Sequence, residues 1–310
     1  MIGLTRFLQS PERTLRERHE RVSGYLPERA NIGHVIAVVT DSSSCLPEDL
    51  AARMGIAVIP QQVRIGDDLE DERAASTPAL FTAMRNGLHV QSSAPSAITF
   101  HRVYQHLQAA GATGILSVHI SGRMSATVRA AETGAIGIGV PVQVVDSNVC
   151  GMSLGYLALA AGQAALMGGT LDQALNAVIK HSRATRQVTY VDSLDYLRRG
   201  GTIGATEAML GDALSIRPLL TFFKGQVRTL QRVRGDKALD QVVKTMSRQA
   251  GRQLVDLAVE YGDNLDGAEE LADRLKYQIP YVNQLIITRT SAVIGSHTGP
   301  GSLAVTVSPR

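Results

Sequence analysis

Tryptophan is absent from the 310 residues, aromatic side chains make up only 4%, and cysteine occurs just twice, as Cys45 and Cys150. Two cysteines far apart and without CxxC spacing exclude a disulfide framework and a Cys-based zinc site. They suit a reducing compartment, so the expected location is cytoplasmic. The opening MIGLTRFLQS lacks the uninterrupted apolar core of a signal peptide, and no export signal is read there. Charge of one sign is also scarce: 31 Lys plus Arg against 28 Asp plus Glu leave a net +3, too little to argue for a nucleic-acid partner. Part of the excess sits in the first 34 residues, where Arg6, Arg13, Arg16, Arg18, Arg21 and Arg29 interleave with Glu12, Glu17, Glu20 and Glu28. That segment reads as a solvated helix or packing strut.

What the chain does have is 44% hydrophobic residues and 29 glycines, the profile of a globular protein long enough for two cores. Residues 1–33 are expected to be a charged extension, 34–185 an α/β domain, and 186–310 an α+β domain. In the first domain, β-branched runs at Val35–Val39, Ile56–Ile59, Ile115–Val118 and Val142–Val145 alternate with helical patterns at Pro47–Met54, Thr77–Arg85, Ala97–Ala109 and Ser125–Ala135. Such alternation predicts a mostly parallel sheet with helices on both faces. In the second, Gln187–Val191, Leu214–Phe223, Val227–Val233, Leu254–Tyr261, Gln284–Thr290 and Leu303–Val307 read as strands, with Lys224-Gly225 as a tight turn. Helices are expected near Leu171–His181, Thr206–Gly211, Lys237–Ala250 and Ala268–Gln278. The uncharged stretch Ser147–Leu171 is about as long as a bilayer span, but its glycines and the lack of basic residues at its start favour a helix over Ser153–Met167 buried between layers.

Ligands of open α/β sheets gather at the carboxyl ends of strands, where loops and helix N-termini present N–H groups. Three hydroxyl-rich segments are expected there: Thr40-Asp41-Ser42-Ser43-Ser44, Gln91 to Ser96, and Ser121 to Thr127. Each alone is also what helix capping produces. Together they make a cradle for a small anion. Neither GxxxxGK[ST] nor GxGxxG is present, so no nucleotide cofactor is expected, and hydroxyls with few nearby cations suit a carboxylate. His297, inside Gly295-Ser296-His297-Thr298-Gly299-Pro300-Gly301, is read as a ligand-binding imidazole held by a tight backbone between strand-like Ala292–Ile294 and the last strand.

Three other features have a bland reading beside a sharp one. Gly151-Met152-Ser153-Leu154-Gly155 matches the GxSxG nucleophile elbow, and Asp195, Asp263 or Asp266 followed by His297 would complete a hydrolase order. Yet Asp146–Met152 intervene after the strand, where an elbow needs the serine in the turn itself. The acidic run Asp67, Asp68, Glu70, Asp71 and Glu72 lacks the alternation of an oxygen-ligand metal loop, and no metal site is expected. Arg198-Arg199 before Gly200-Gly201 is either a helix C-terminus with favourable charges or a dock for an acidic partner.

In order and spacing, these segments resemble the DegV family, the bacterial fatty-acid-binding subunits of fatty acid kinase. Val38 to Ser43 is similar to the family's opening strand and TDS loop, Ser92-Ser93-Ala94-Pro95-Ser96 to its TSxPS motif, and Ser121 to Thr127 to SSGLSGT. Val145-Asp146-Ser147 resembles (I/V)DS, Tyr196 to Ile203 resembles YLKRGGRI, Ser215 to Leu220 the IKP strand, and His297-Thr298-Gly299-Pro300-Gly301 the terminal HxGPG. The resemblance implies two α/β domains enclosing a long-chain fatty acid in a tunnel between them. It implies that Ser93 bonds the carboxylate and His297 helps to fix it, with Ser92, Ser121, Ser125 and Arg123 around them. A separate ATP-binding kinase subunit, docking at Arg198 and Arg199, would phosphorylate the carboxylate to an acyl-phosphate. The chain itself would then be a binding subunit, not a catalyst, with no cofactor and no stable membrane insertion. The sequence departs from the family pattern at Gly122-Arg123-Met124, where Arg123 brings a cation into the cradle loop, and at Thr202, which replaces the arginine of GGRI.

Overall fold

The computed structural model describes residues 35–72, 76–202 and 216–310. The charged extension, the expected helix at Thr206–Gly211, and Leu214 and Ser215 lie outside the described residues. Along the chain run β1 (Ile36–Asp41), α1 (Glu48–Arg53), β2 (Ile56–Ile59), β3 (Gln62–Ile65), β4 (Asp68–Asp71), α2 (Ser76–Arg85) and β5 (Val90–Ser93). Next come α3 (Ala97–Ala109), β6 (Gly114–His119), α4 (Thr127–Gly134), β7 (Val142–Asp146), α5 (Met152–Leu166) and α6 (Leu171–Ala184). The second half contributes β8 (Arg186–Tyr190), α7 (Asp195–Arg199), β9 (Ile216–Phe223), β10 (Gln226–Arg234), α8 (Ala238–Ala250) and β11 (Val255–Tyr261). It closes with α9 (Leu265–Gln278), β12 (Val282–Arg289), α10 (Ala292–Thr298) and β13 (Leu303–Pro309).

The N-terminal domain holds the expected parallel sheet, in the order β2-β1-β6-β7. Its strands alternate faces, as a pleated strand must. Val38, Leu116 and Val118 pack under α5 and α6, while Ala37, Val39 and Ile115 pack with Phe100, Tyr104 and Leu107 of α3 and Ala131 of α4. The C-terminal domain is a six-stranded mixed sheet, β10-β9-β8-β13-β11-β12, in which only β11 and β12 run parallel. Its outer face carries Val188, Leu257, Val259, Val305 and Val307 against α8 and α9. The Lys224-Gly225 turn joins β9 and β10 with both φ angles positive, at 49° and 77°.

Between the two sheets lies α5. It has no charged residue and packs on β1 and β6 on one side and β13 on the other, so a helix apolar all round is what this position requires. Fifteen residues make it too short for a bilayer, and among the described residues no helix is long and apolar enough to cross a membrane. The molecule is thus a stack of helices, sheet, helices, sheet, helices.

Two expectations need correction. The segment Gln91 to Ser96 does not follow a strand of the parallel sheet: Val90–Ser93 is β5 of a separate antiparallel sheet, β4-β3-β5, that packs, through Val63, on Leu80 and Phe81 of α2 and on Ala292 and Val293 of the C-terminal domain. The acidic run forms the edge strand β4, and Glu72 turns inward to accept from the Ala292 backbone N–H and the Ser42 hydroxyl. Ala292–Ile294 is the first turn of α10, not a strand. Ser291 caps it by accepting from the Ile294 N–H at 3.2 Å.

Candidate functional site

The carboxyl edge of the parallel sheet is organised by Asp41. Fully buried at the end of β1, it accepts from the Ser43 N–H and hydroxyl, from Gln61 Nε2 at 2.9 Å, from the Ile120 N–H at 3.1 Å and from His119 Nδ1 at 2.9 Å. Burial alone would raise its pKa, but the His119, Ser43 and Ile120 interactions outweigh that and hold the carboxyl below its ordinary value. The imidazole continues through Ser117 Oγ at 2.6 Å to the Tyr104 hydroxyl at 2.7 Å. The first hydroxyl-rich segment is therefore a structural knot: Thr40 to Ser44 do not line the cavity beside it. Of this network Gln61 and Ile120 do.

That cavity, of about 530 Å³, lies between the domains. Such a volume is in the range of small-molecule sites, roughly 300–1,000 Å³. Of the residues expected to bind ligand, Ser92, Ser93, Arg123, Ser125 and His297 line it. Ser121 does not. Its buried hydroxyl donates to the Gly225 carbonyl at 2.8 Å and accepts from the Arg123 N–H, fastening the β9–β10 turn to the N-terminal domain. Arg123 reaches the same turn, Nη1 to the Lys224 carbonyl at 3.4 Å. Ser125 caps its own loop, accepting from the Thr127 N–H at 3.3 Å, and Ser96 caps α3.

At the wall formed by β5, α7 and α10, His297 is held from both ring nitrogens. Nε2 lies 3.3 Å from Ser92 Oγ, and Nδ1 lies 2.9 Å from Thr202 Oγ1. Burial lowers the pKa of His297 below the ordinary histidine value, so the ring is neutral near pH 7. With Thr202 donating to Nδ1, Nε2–H donates to Ser92 Oγ and leaves the Ser92 proton for an acceptor in the cavity. Ser93 is exposed beside it and donates to Gln62 Oε1 at 3.3 Å. In the sequence Thr202 stood out only as a departure from the family's GGRI. Gly200 has a comparable hidden role: a Cβ there would stand 2.3 Å from His297 Nδ1, so only glycine lets the backbone lie on the imidazole. The glycine pair is more than a helix stop. Gly299, at φ 77°, likewise has the Tyr196 ring where a Cβ would be.

Sequence reasoning also missed the inner face of the C-terminal sheet. There Gln187, Thr189, Glu260 and Ala304 line the cavity. A period-two reading places Gln187 and Thr189 on one face, but does not tell which face is wet.

The arrangement does not support a serine hydrolase. Ser153 is 3% exposed in the first turn of α5, its N–H donates to Gln187 Oε1 at 3.3 Å, and it does not line the cavity, while both His297 nitrogens are engaged elsewhere. Asp195 and Asp263 pair with Arg198 and Arg85. Both cysteines are buried free thiols whose pKa burial pushes up, so neither is a nucleophile. Among the described residues no group of three or more His, Cys, Asp or Glu is placed to hold a metal. Arg198 and Arg199 are exposed on α7, one 3.5 Å from Asp195 and the other over the Tyr196 ring at 6.0 Å.

The DegV family model, described as an uncharacterised protein, DegV family, matches residues 35–310. A DegV domain-containing protein of Streptomyces coelicolor is 42% identical over 277 residues, covering 89% of this chain and 99% of the relative. One from Mycobacterium tuberculosis is 32% identical over 275 residues, covering 88% and 96%. Among solved structures, a fatty-acid-binding DegV family protein from Thermus thermophilus superposes with a TM-score of 0.81 at 31% identity, covering 89% of this chain and 99% of that one.

Proposed function

The chain belongs to the DegV family, and from that membership and the cavity we propose that it binds a long-chain fatty acid between its two domains and presents the carboxylate to a separate kinase subunit. The observation that carries this reading is the interdomain cavity of about 530 Å³ with the Thr202–His297–Ser92 hydrogen-bond chain in its wall. The fatty-acid binding of the Thermus relative supports it. Each methylene removed from water contributes roughly 0.8 kcal/mol, so the acyl chain supplies affinity and the polar wall supplies orientation.

A neutral imidazole suits the task. It donates a hydrogen bond, through Ser92, without giving its proton away, and the carboxylate oxygen keeps the electron pair that must attack the terminal phosphate of ATP. Phosphoryl transfer to that oxygen yields an acyl-phosphate and ADP, with ATP supplied by the partner. Arg198 and Arg199 stand at the end of the helix that leads into Gly200, the residue lying on His297. An acidic partner surface docked there would reach the carboxylate end. The domain limits 34–185 and 186–310 accord with this division, and a cytoplasmic location with such a partner.

The test is native mass spectrometry of the purified protein, followed by denaturing extraction. A near-stoichiometric long-chain fatty acid is expected. Protein that is empty and also takes up no added fatty acid would remove the reading. For the partner, reversing both charges in Arg198→Glu/Arg199→Glu is expected to abolish kinase-dependent acyl-phosphate formation while fatty-acid affinity stays unchanged.

A further inference from the structure

The inner wall of the cavity is more polar than an alkyl chain requires. Gln187 and Glu260 are 6% and 2% exposed, and both line the cavity from the C-terminal sheet. They are distinct from the residues that hold His297. Gln187 Oε1 is fully used, accepting from the Ser153 N–H at 3.3 Å and from Thr306 Oγ1 at 3.2 Å. Its amide nitrogen has two protons, and its bond to Thr189 Oγ1 is long, at 3.4 Å. Glu260 Oε1 accepts from the Met152 N–H at 2.9 Å, at the start of α5, and the Cys45 thiol and Thr306 hydroxyl also bond the carboxyl, which still keeps lone pairs toward the cavity. Burial raises the Glu260 pKa to about 7, so near neutrality this carboxyl is present both as donor and as acceptor. A methylene chain lying along these groups would shut out water and return no hydrogen bond.

We propose that Gln187 and Glu260 form a second, polar subsite of the cavity that selects fatty acids carrying a hydroxyl group on the chain. The inference rests on the fatty-acid reading above. A hydroxyl offers one proton and two lone pairs, which matches an amide N–H on one side and a carboxyl able to give or take a proton on the other. A second carboxylate would be repelled by ionised Glu260. Sites built to bond a hydroxyl discriminate strongly against the analogue that lacks it, because their polar groups are then left unpaired. Gly151 marks how closely the wall is built around Glu260, since a Cβ there would fall 2.6 Å from Oε2.

The experiment is a set of affinities for delipidated protein, by isothermal titration calorimetry, with stearate and with hydroxystearates bearing the hydroxyl near the carboxylate, at mid-chain and at the chain end. At least one hydroxystearate is expected to bind about tenfold more tightly than stearate, in the manner of hydroxyl-reading sites. In Gln187→Leu the ratio of hydroxystearate to stearate affinity is expected to fall to about one, whatever the change in stearate affinity itself. Glu260→Gln, which retains an acceptor for the Met152 N–H, is the second variant should the first fail to fold. Stearate binding as tightly as every hydroxystearate overturns the subsite and leaves the fatty-acid reading standing. Failure of all the ligands to bind overturns both.

Discussion

At the scale of single residues, Glu260 makes the most definite statement. A carboxyl whose pKa rises from 4.5 to about 7 on folding holds its proton in the native state after the unfolded chain has lost it. Native protein therefore binds more protons between those values, and stability falls as pH rises from about 4.5 to about 7, then stays at the lower level. At roughly 1.4 kcal/mol per pH unit the cost above neutrality is about 3 kcal/mol. Glu260→Gln removes the titration and keeps an oxygen for the Met152 N–H. Urea unfolding is expected to find the variant more stable than wild type at pH 8 and close to it at pH 5; an equal difference at both would contradict this origin. His297 works in the opposite sense. Its lowered pKa gives stability that is present above the unfolded value of 6.5 and lost as pH falls below it, so the comparison of variant with wild type is needed to isolate Glu260. Thr202 supplies a second expectation. Thr202→Val deprives His297 Nδ1 of its 2.9 Å partner and should weaken fatty-acid binding by about tenfold, whereas Thr202→Ser should not, as titration calorimetry would read.

At the scale of elements, the site is the meeting of three short pieces: the end of β5, the glycines after α7, and the helix α10. Gly200→Ala places a methyl carbon against the imidazole with nowhere to go, because the ring is held on its other side by Ser92. Fatty-acid affinity is expected to fall at least as far as in Ser92→Ala, and the melting temperature to fall as well, since the imidazole must leave its place. Unchanged affinity would mean that the ring has room the structure does not show. These same pieces were the hardest to read from sequence. The long, periodic elements were legible: β1, β2, β6 and β7 with their helices, and β8 to β13 as strands. By contrast, QVRI alternates over only four residues, DLED and VQSS have one apolar residue each, and their packing as β3, β4 and β5 depends on contacts with α2 and α10 far along the chain. Ala292-Val293-Ile294 satisfies strand and helix equally over so short a stretch, and only the Ser291 cap decides. Ser92, Ser93 and Ser125 could be placed at the cavity from sequence because hydroxyls cluster at loop ends, and His297 because glycines and a proline surround it. Thr202, Gly200, Gln187 and Glu260 could not, because what they touch lies in another element.

At the scale of the whole molecule, the cavity lies on the boundary between the two domains, beside buried clusters that both contribute to. Hydrogen bonds cross it at its edges: Ser121 to the Gly225 carbonyl, Thr288 to the Cys45 carbonyl, Thr77 to the Thr290 carbonyl, and the Met152 N–H to Glu260. The rest of the boundary is shared between apolar contacts, such as Met152 and Tyr156 with Ala258 and Ile286, and the cavity, so under the proposed function an acyl chain in the cavity would add to the interdomain packing. A ligand that binds only the folded, closed pair stabilises it by mass action, about 2.7 kcal/mol at a hundredfold excess over the dissociation constant. For domains of this size that corresponds to a rise of roughly 5–10 °C in melting temperature. Differential scanning calorimetry is therefore expected to show a single, higher transition for protein loaded with fatty acid. Stripped protein should melt earlier, with the two domains less tightly coupled. Ser121→Ala, which removes one fastening without touching the cavity lining, should lower the melting temperature of the stripped form more than that of the loaded form, since the ligand then carries part of the connection. Identical melting of loaded and stripped protein would show that the ligand does not bridge the domains, and would place its binding somewhere other than this cavity.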